Sequence, residues 1–191
     1  TAYHREASRL ESLRNLTERY DGYGNSIRRV MEQKERVPGI QGVVADLIQV
    51  NKDYEIAIET ALGGSIQNIV IDNEQTAKTL IEFLKKNRYG RATFLPMNSI
   101  TPRGEFSPRD ALREPGVIGI ASELVSTAPQ YQQIAKFLLG RVLVVDNIDH
   151  AIAIGRKYRH SLRMVTIEGE SLSSGGSMTG GAFKNNSNLL G

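Results

Sequence analysis

Cysteine and tryptophan are both missing from this 191-residue chain. Without thiols there can be no disulfide framework, no thiolate nucleophile and no cysteine-held metal, a composition that suits a reducing compartment. Apolar runs are short: none approaches the roughly 20 residues that cross a bilayer, so no transmembrane helix and no membrane partner are expected. Charge of one sign is also scarce. A net charge of +3 is too small an excess to argue for an anionic partner, so basic residues have to be judged by clustering. The three histidines, His4, His150 and His160, read as solvent-facing side chains rather than metal ligands. Neither a G-x-S-x-G elbow nor a P-loop occurs, and no catalytic set is found. The start, Thr1-Ala2-Tyr3, has neither an initiator methionine nor a signal-peptide layout and reads as the beginning of an excised fragment.

What is present is ordinary globular material, 40% hydrophobic and 24% charged, arranged with a duplication. Pro38-Gly39-Ile40-Gln41-Gly42-Val43-Val44 returns as Pro115-Gly116-Val117-Ile118-Gly119-Ile120-Ala121, and Ile69-Val70-Ile71-Asp72-Asn73 returns as Leu143-Val144-Val145-Asp146-Asn147. Repeats of this size imply two similar units. Each copy offers a helix around Tyr54–Leu62 or Tyr131–Leu139, then an unalternating β-branched run, as in strands covered on both faces. Asp72 or Asn73 is placed to cap the next helix, with Gln75 completing a capping box. Its apolar face is Ala77, Leu80, Ile81 and Leu84, answered in the second copy by Ile148, Ala151, Ile152 and Gly155. Strands at Ala92–Leu95 and Met164–Ile167 then close one βαβ crossover per half. The fold class is therefore mixed α/β, with two pseudo-repeated lobes.

Residues 1 to 20 carry a 3-4-3-4-3 spacing, Tyr3, Glu6, Leu10, Leu13, Thr17 and Tyr20, which fits a short coiled-coil seam or an amphipathic surface helix. Ser26 is placed to cap a second, charged helix that stops at Pro38-Gly39. Between the halves, Pro102, Pro108 and Gly104 fall in a stretch without period, read as a linker.

Two features could carry function. Gly175-Gly176-Ser177-Met178-Thr179-Gly180-Gly181 puts four glycines in seven residues after a strand. A phosphate cradle at Ser177 or Thr179, as in a small phosphate-ligand-binding enzyme, is one reading, but a P-loop lysine and a following helix are lacking. A flexible linker is a second. The third is close main-chain approach, where absent Cβ atoms let another chain add a strand. Basic residues cluster at Lys85-Lys86-Asn87-Arg88-Tyr89-Gly90-Arg91 and at Arg156, Lys157, Arg159, His160 and Arg163. They fit phosphate contact or simple complementation of a helix C-terminus.

The run Gly42-Val43-Val44-Ala45-Asp46-Leu47-Ile48, the run Ala61-Leu62-Gly63-Gly64 and above all Gly175–Gly181 resemble the hinge domain of structural maintenance of chromosomes (SMC) proteins of the bacterial type. The resemblance covers essentially residues 22 to 184. It implies arm stubs at 1–21 and 184–191, hinge lobes at 22–97 and 115–183, and a linker at 98–114. It further implies a homodimer formed through Gly175, Gly176, Ser177, Met178, Thr179, Gly180 and Gly181. Sequence-independent DNA contact is implied near the junction of arm and hinge, with Arg28, Arg29, Lys85, Lys86, Arg88 and Arg91 as candidates. ATP, Mg and kleisin-type subunits would belong to other parts of a longer cytoplasmic, nucleoid-associated protein that organises and segregates chromosomes. The fragment itself is expected to be no enzyme.

Overall fold

The structure is a computed structural model that describes residues 24–183. The expected arm helix over 1–20 and the stub at 184–191 lie outside the described residues. In chain order the elements are α1 (Asn25–Met31), β1 (Ile40–Val43), α2 (Val44–Leu47), β2 (Gln49–Val50), α3 (Glu55–Leu62) and β3 (Ile69–Ile71). They continue with α4 (Glu74–Asn87), β4 (Phe94–Pro96), β5 (Val117–Ile120) and β6 (Val125–Ser126). The rest are α5 (Gln132–Leu139), β7 (Val142–Val145), α6 (Ile148–Lys157), β8 (Arg163–Thr166), β9 (Ser171–Leu172) and β10 (Met178–Thr179).

Two compact units result. The first comprises the described residues up to Asp46 together with Gln67–Ser99, around the sheet β1-β3-β4. Here β3 runs antiparallel to β1 and parallel to β4, with α4 as the crossover. Leu80 and Leu84 of α4 are buried, as are Ile27, Val30 and Met31 of α1. Ile81, expected on the apolar face, is 45% exposed, because a three-stranded sheet is too narrow to cover a wide helical stripe.

The second unit comprises Leu47–Ile66 and the described residues from Ile100 onward. Its sheet runs β10-β9-β8-β7-β5, with β7 and β8 parallel through α6 and the other pairs antiparallel. One core cluster joins Ile120, Leu143, Val145 and Met164 of this sheet to Ala151 and Ile154 of α6. Residues 47–66 sit here rather than with the lobe that chain order assigns them to. The reason is pairing: β2 forms a two-stranded sheet with β6, and α3 packs on β8 and α5. The segment 98–114 is also more than a spacer, since Phe106 and Ala111 are buried in the second core.

Local geometry recurs in both units. β1 and β5 each bulge one residue before pairing resumes at Gly42 or Gly119. The Gly39 and Gly116 carbonyls accept from the Asp72 and Asp146 amides at 2.9 and 2.8 Å. A Cβ at either glycine would stand 2.3 or 2.5 Å from the aspartate Oδ1, so the main chain passes where only hydrogen fits. Of the two cap candidates at the strand-to-helix step, the asparagine is used. Asn73 and Asn147, not the aspartates, accept the N3 amides, from Thr76 at 3.0 Å and His150 at 2.9 Å. Asp72 instead accepts from the Thr76 hydroxyl and the Asn73 amide, and Gln75 takes no part in the cap. Ser26 lies inside α1, whose N-cap is Gly24, and α1 ends at Met31, well before Pro38.

Both crossover helices end in the same Schellman motif. Tyr89 N–H reaches the Leu84 carbonyl and Arg88 N–H that of Lys85, while His160 N–H reaches Gly155 and Arg159 N–H reaches Arg156. Glycine usually occupies the left-handed position of this motif. Here it is arginine twice, Arg88 at φ 55° and Arg159 at φ 57°.

Candidate functional site

The glycine segment forms neither a linker nor a cradle. It is a hairpin: β9 and β10 pair Leu172 with Met178 and Ser171 with Thr179, and Ser173 N–H closes the loop onto the Ser177 carbonyl at 2.9 Å. Gly175 and Gly176 make the turn at φ 97° and 106°, a region closed to most side chains. Gly175 N–H is anchored on the His160 carbonyl at 2.7 Å, just past α6. No helix follows β10 among the described residues, so the phosphate-cradle reading of Ser177 and Thr179 has no structural support.

β10 is the outermost strand of its sheet, with no strand beyond it among the described residues. Hydrogen-bonded and non-bonded pairs alternate along an antiparallel ladder. Because Ser173 and Ser177 are a bonded pair, the main-chain groups of Met178 and Gly180 turn away from β9, toward the open edge. Met178 is 50% exposed. A Cβ at Gly181 would meet nothing within 4 Å, and one at Gly180 would meet only the Glu170 side chain at 3.2 Å. Crowding within the described chain therefore does not explain Gly181, and scarcely explains Gly180. Beside the hairpin lies a groove of about 320 Å³ lined by Ile152, Leu162, Met164, Leu172 and Met178, with His160 at its wall.

The six basic candidates all fall in the first unit, where α1 meets the turn after α4. Asn25 donates to the Tyr89 carbonyl at 3.4 Å, and the Arg29 guanidinium lies 4.8 Å from the Tyr89 ring centre. Arg29 is thereby brought against the turn that follows Lys85, Lys86 and Arg88, although more than fifty residues separate the two segments in sequence. Arg29 is partly engaged, by Glu32 at 3.5 Å as well as Tyr89, and Arg28 bonds Asn25 at 3.2 Å. The side chains of Lys85, Lys86, Arg88 and Arg91 are exposed. Two members of the second basic cluster have partners within the unit. Lys157 pairs with Glu114, which raises its pKa, and His160 holds the hairpin.

One contact escaped the sequence reading. His150 Nδ1 lies 2.7 Å from Asp146 Oδ1, and this hydrogen bond lowers the Asp146 pKa. The i, i+4 spacing from the residue before the Asn147 cap to the first turn of α6 was the available signal. Among the described residues no group of three or more His, Cys, Asp or Glu could hold a metal ion, and no helix is long and apolar enough to cross a membrane.

A glycine-flanked open sheet edge and a group of exposed basic side chains are the features this domain offers to another molecule. The model for the SMC proteins flexible hinge domain matches residues 37–155, and the chain belongs to this hinge family. It is 45% identical to the chromosome partition protein Smc of Lactiplantibacillus plantarum over 97% of this chain, and 42% identical to that of Bacillus subtilis over 96%. In both cases it spans only 16% of the relative's length. Among solved structures, an asymmetric dimer of the Geobacillus stearothermophilus SMC hinge domain superposes with a TM-score of 0.86 at 39% identity, covering 98% of this chain and 76% of that one. The Pyrococcus furiosus hinge domain gives a TM-score of 0.71 at 32% identity, over 92% and 90%.

Proposed function

We propose that this domain pairs with a second copy of itself by strand addition at β10, and that its basic face contacts DNA phosphates without reading sequence. The observation that carries the pairing is the open β10 edge, whose outward main-chain groups belong to Met178 and Gly180. An unpaired strand edge is a template for another chain, and Gly180 and Gly181 leave the approach unobstructed. The Geobacillus stearothermophilus hinge domain forms an asymmetric dimer, which supports pairing of two copies. Within a longer chromosome partition protein the pair joins two coiled-coil arms, while ATP, Mg and kleisin-type subunits bind elsewhere along that protein. The role is chromosome condensation and segregation at the nucleoid.

The DNA contact rests on the convergence of α1 with the α4 terminus. It rests also on Arg88, which keeps a left-handed conformation that costs a non-glycine residue about 1–2 kcal/mol. Retention of such strain at an exposed position favours a role for the side chain.

Sedimentation equilibrium tests the pairing. The unaltered chain should be dimeric at micromolar concentration, and Gly180→Val monomeric with an unchanged circular dichroism spectrum. A monomeric unaltered chain, or a dimer indifferent to the valine, overturns the proposal. DNA affinity should fall steeply with salt, at a slope near −0.9 per phosphate neutralised. A flat slope removes the DNA contact and leaves the pairing standing.

A further inference from the structure

The second unit also carries a long groove, away from β10, whose walls hold charges of both signs. Its larger hollow, of about 500 Å³, lies between the segment 102–109 and α5, with the buried Phe106 and Ile120 among its lining. Glu105, Arg109, Glu123 and Lys136 stand in its walls, all four exposed. Among the described residues none of the four forms an ion pair. A second hollow, of about 360 Å³, adjoins the first, since Ser122 and Lys136 line both. It runs along Val125, Ser126 and Thr127 on one side and Gln132 and Ala135 of α5 on the other. The strand it follows, β6, pairs only with β2 among the described residues, so its other edge is open. The duplication supplies a comparison. Ile56 of α3 is the repeat counterpart of Gln133 of α5, and the chain itself covers it: a Cβ at Gly169 would stand 2.7 Å from Phe183 Cζ and 3.0 Å from Ile56 Cγ2. On α5 the same position lines the open groove.

Two carboxylates and two cations in one cleft select against a ligand of a single sign, because half the wall repels it. A phosphate chain meets Glu105 and Glu123 and is disfavoured. A ligand carrying an acid and a base satisfies all four. Two adjoining hollows beside a strand edge exceed what one small zwitterion fills, whereas an extended chain fits the length: its main chain can pair with an open edge while side chains enter the hollows and set specificity. We propose that this groove receives an extended segment of a partner protein, laid against β6, whose basic side chain meets Glu105 and Glu123 and whose acidic side chain meets Arg109 and Lys136. The apolar floor takes a hydrophobic residue between them. This site is independent of the pairing at β10.

Random-sequence peptides displayed on phage and selected against the full chain supply the probe. The selected sequences should carry an acidic and a basic residue, and a fluorescein-labelled peptide made from them should bind the unaltered chain in fluorescence polarisation. Glu105→Lys/Glu123→Lys should weaken that binding about tenfold or more, and Arg109→Glu/Lys136→Glu likewise, because each sets like charges face to face. Exchanging the basic residue of the peptide for glutamate should restore its affinity for the Glu105→Lys/Glu123→Lys variant. Gln132→Trp, which obstructs the second hollow without touching the charges, should also weaken binding. All five positions are exposed, and thermal unfolding checks that each variant keeps its fold. Failure to select any peptide, or a peptide indifferent to all three variants, overturns the proposal. Three other results overturn it by naming a different occupant. Displacement of the peptide by duplex DNA means a nucleic acid; a rise in Tm with free lysine or glutamate that the charge variants abolish means a small zwitterion. A dimer that dissociates in sedimentation equilibrium on charge reversal means a second copy of this chain.

Discussion

Replacing Met178 by proline separates the outer edge of β10 from its inner one. In the ladder the Met178 N–H points away from β9, so proline removes a donor that serves nothing within the second unit, and proline is tolerated at edge strands in that orientation. Pairing to β9 continues through Thr179 and Ser171, and the turn still closes through Ser173 and Ser177. An added strand meets a different edge: one main-chain bond is gone, worth about 0.5–1.5 kcal/mol net, and the ring fills the space the incoming carbonyl needs. Together these should cost dimerisation about 2–3 kcal/mol, roughly 30- to 150-fold in Kd at about 1.4 kcal/mol per decade. Sedimentation velocity over a concentration series measures the shift, and thermal unfolding below the dimer Kd checks that the monomer keeps its stability. Met178→Ala is the control for the half-exposed side chain and should weaken pairing less. A proline variant that dimerises as tightly as the unaltered chain would refute strand addition at β10, whatever else holds the copies together.

Arg88→Gly should raise the stability of the first unit by about 1 kcal/mol, by relieving a left-handed arginine, while reducing the salt slope of DNA binding by about one. Loss of stability in denaturant melts would contradict the cap geometry. Gly116→Ala should cost about 2–4 kcal/mol, since φ is 90° and the new Cβ would lie 2.4 Å from His150 Nδ1. Gly104→Ala, at φ 98° with nothing within 4 Å, supplies the backbone part alone and should cost about 1–2 kcal/mol. The His150 hydrogen bond holds the Asp146 carboxyl below its ordinary 3.8. Its stabilising contribution is therefore present above 3.8 and lost as pH falls through the lower folded value. A carboxyl NMR titration should show Asp146 below 3.8 and returning toward it in His150→Ala; titration at 3.8 in the unaltered chain would refute the contact.

Much of the fold could be read from period and punctuation. The β-branched runs at Ile69–Ile71 and Val142–Val145 became fully buried strands, and the crossover helices α4 and α6 follow them. The sequence leaves the cap open between Asp72 and Asn73, and the structure chooses Asn73. Asp and Asn are both good N-caps, and only the chain's path past Gly39 and Gly116 diverts Asp72 and Asp146 to other partners. The segment 98–114 looked like a linker because it has no period, yet Phe106 needs none to fill a core. The glycine run was legible as a place without side chains. That it is a hairpin could not be read, because two-residue strands leave no alternation to detect.

Local chemistry alone therefore determined the longer buried strands, the two crossovers, the absence of thiol chemistry and the candidate residues of both surfaces. Tertiary structure decided where they meet. Residues 47–66 belong with the second unit because β2 finds its partner in β6, a pairing between segments some seventy-five residues apart. Arg29 meets Tyr89 because α1 lies against the end of α4. β10 is an outer strand because its sheet continues inward through β9 and β8 to β7 and β5. Helix caps and apolar runs act over a few residues and are written in them; edges and charged faces arise from long-range pairing, which no local window contains.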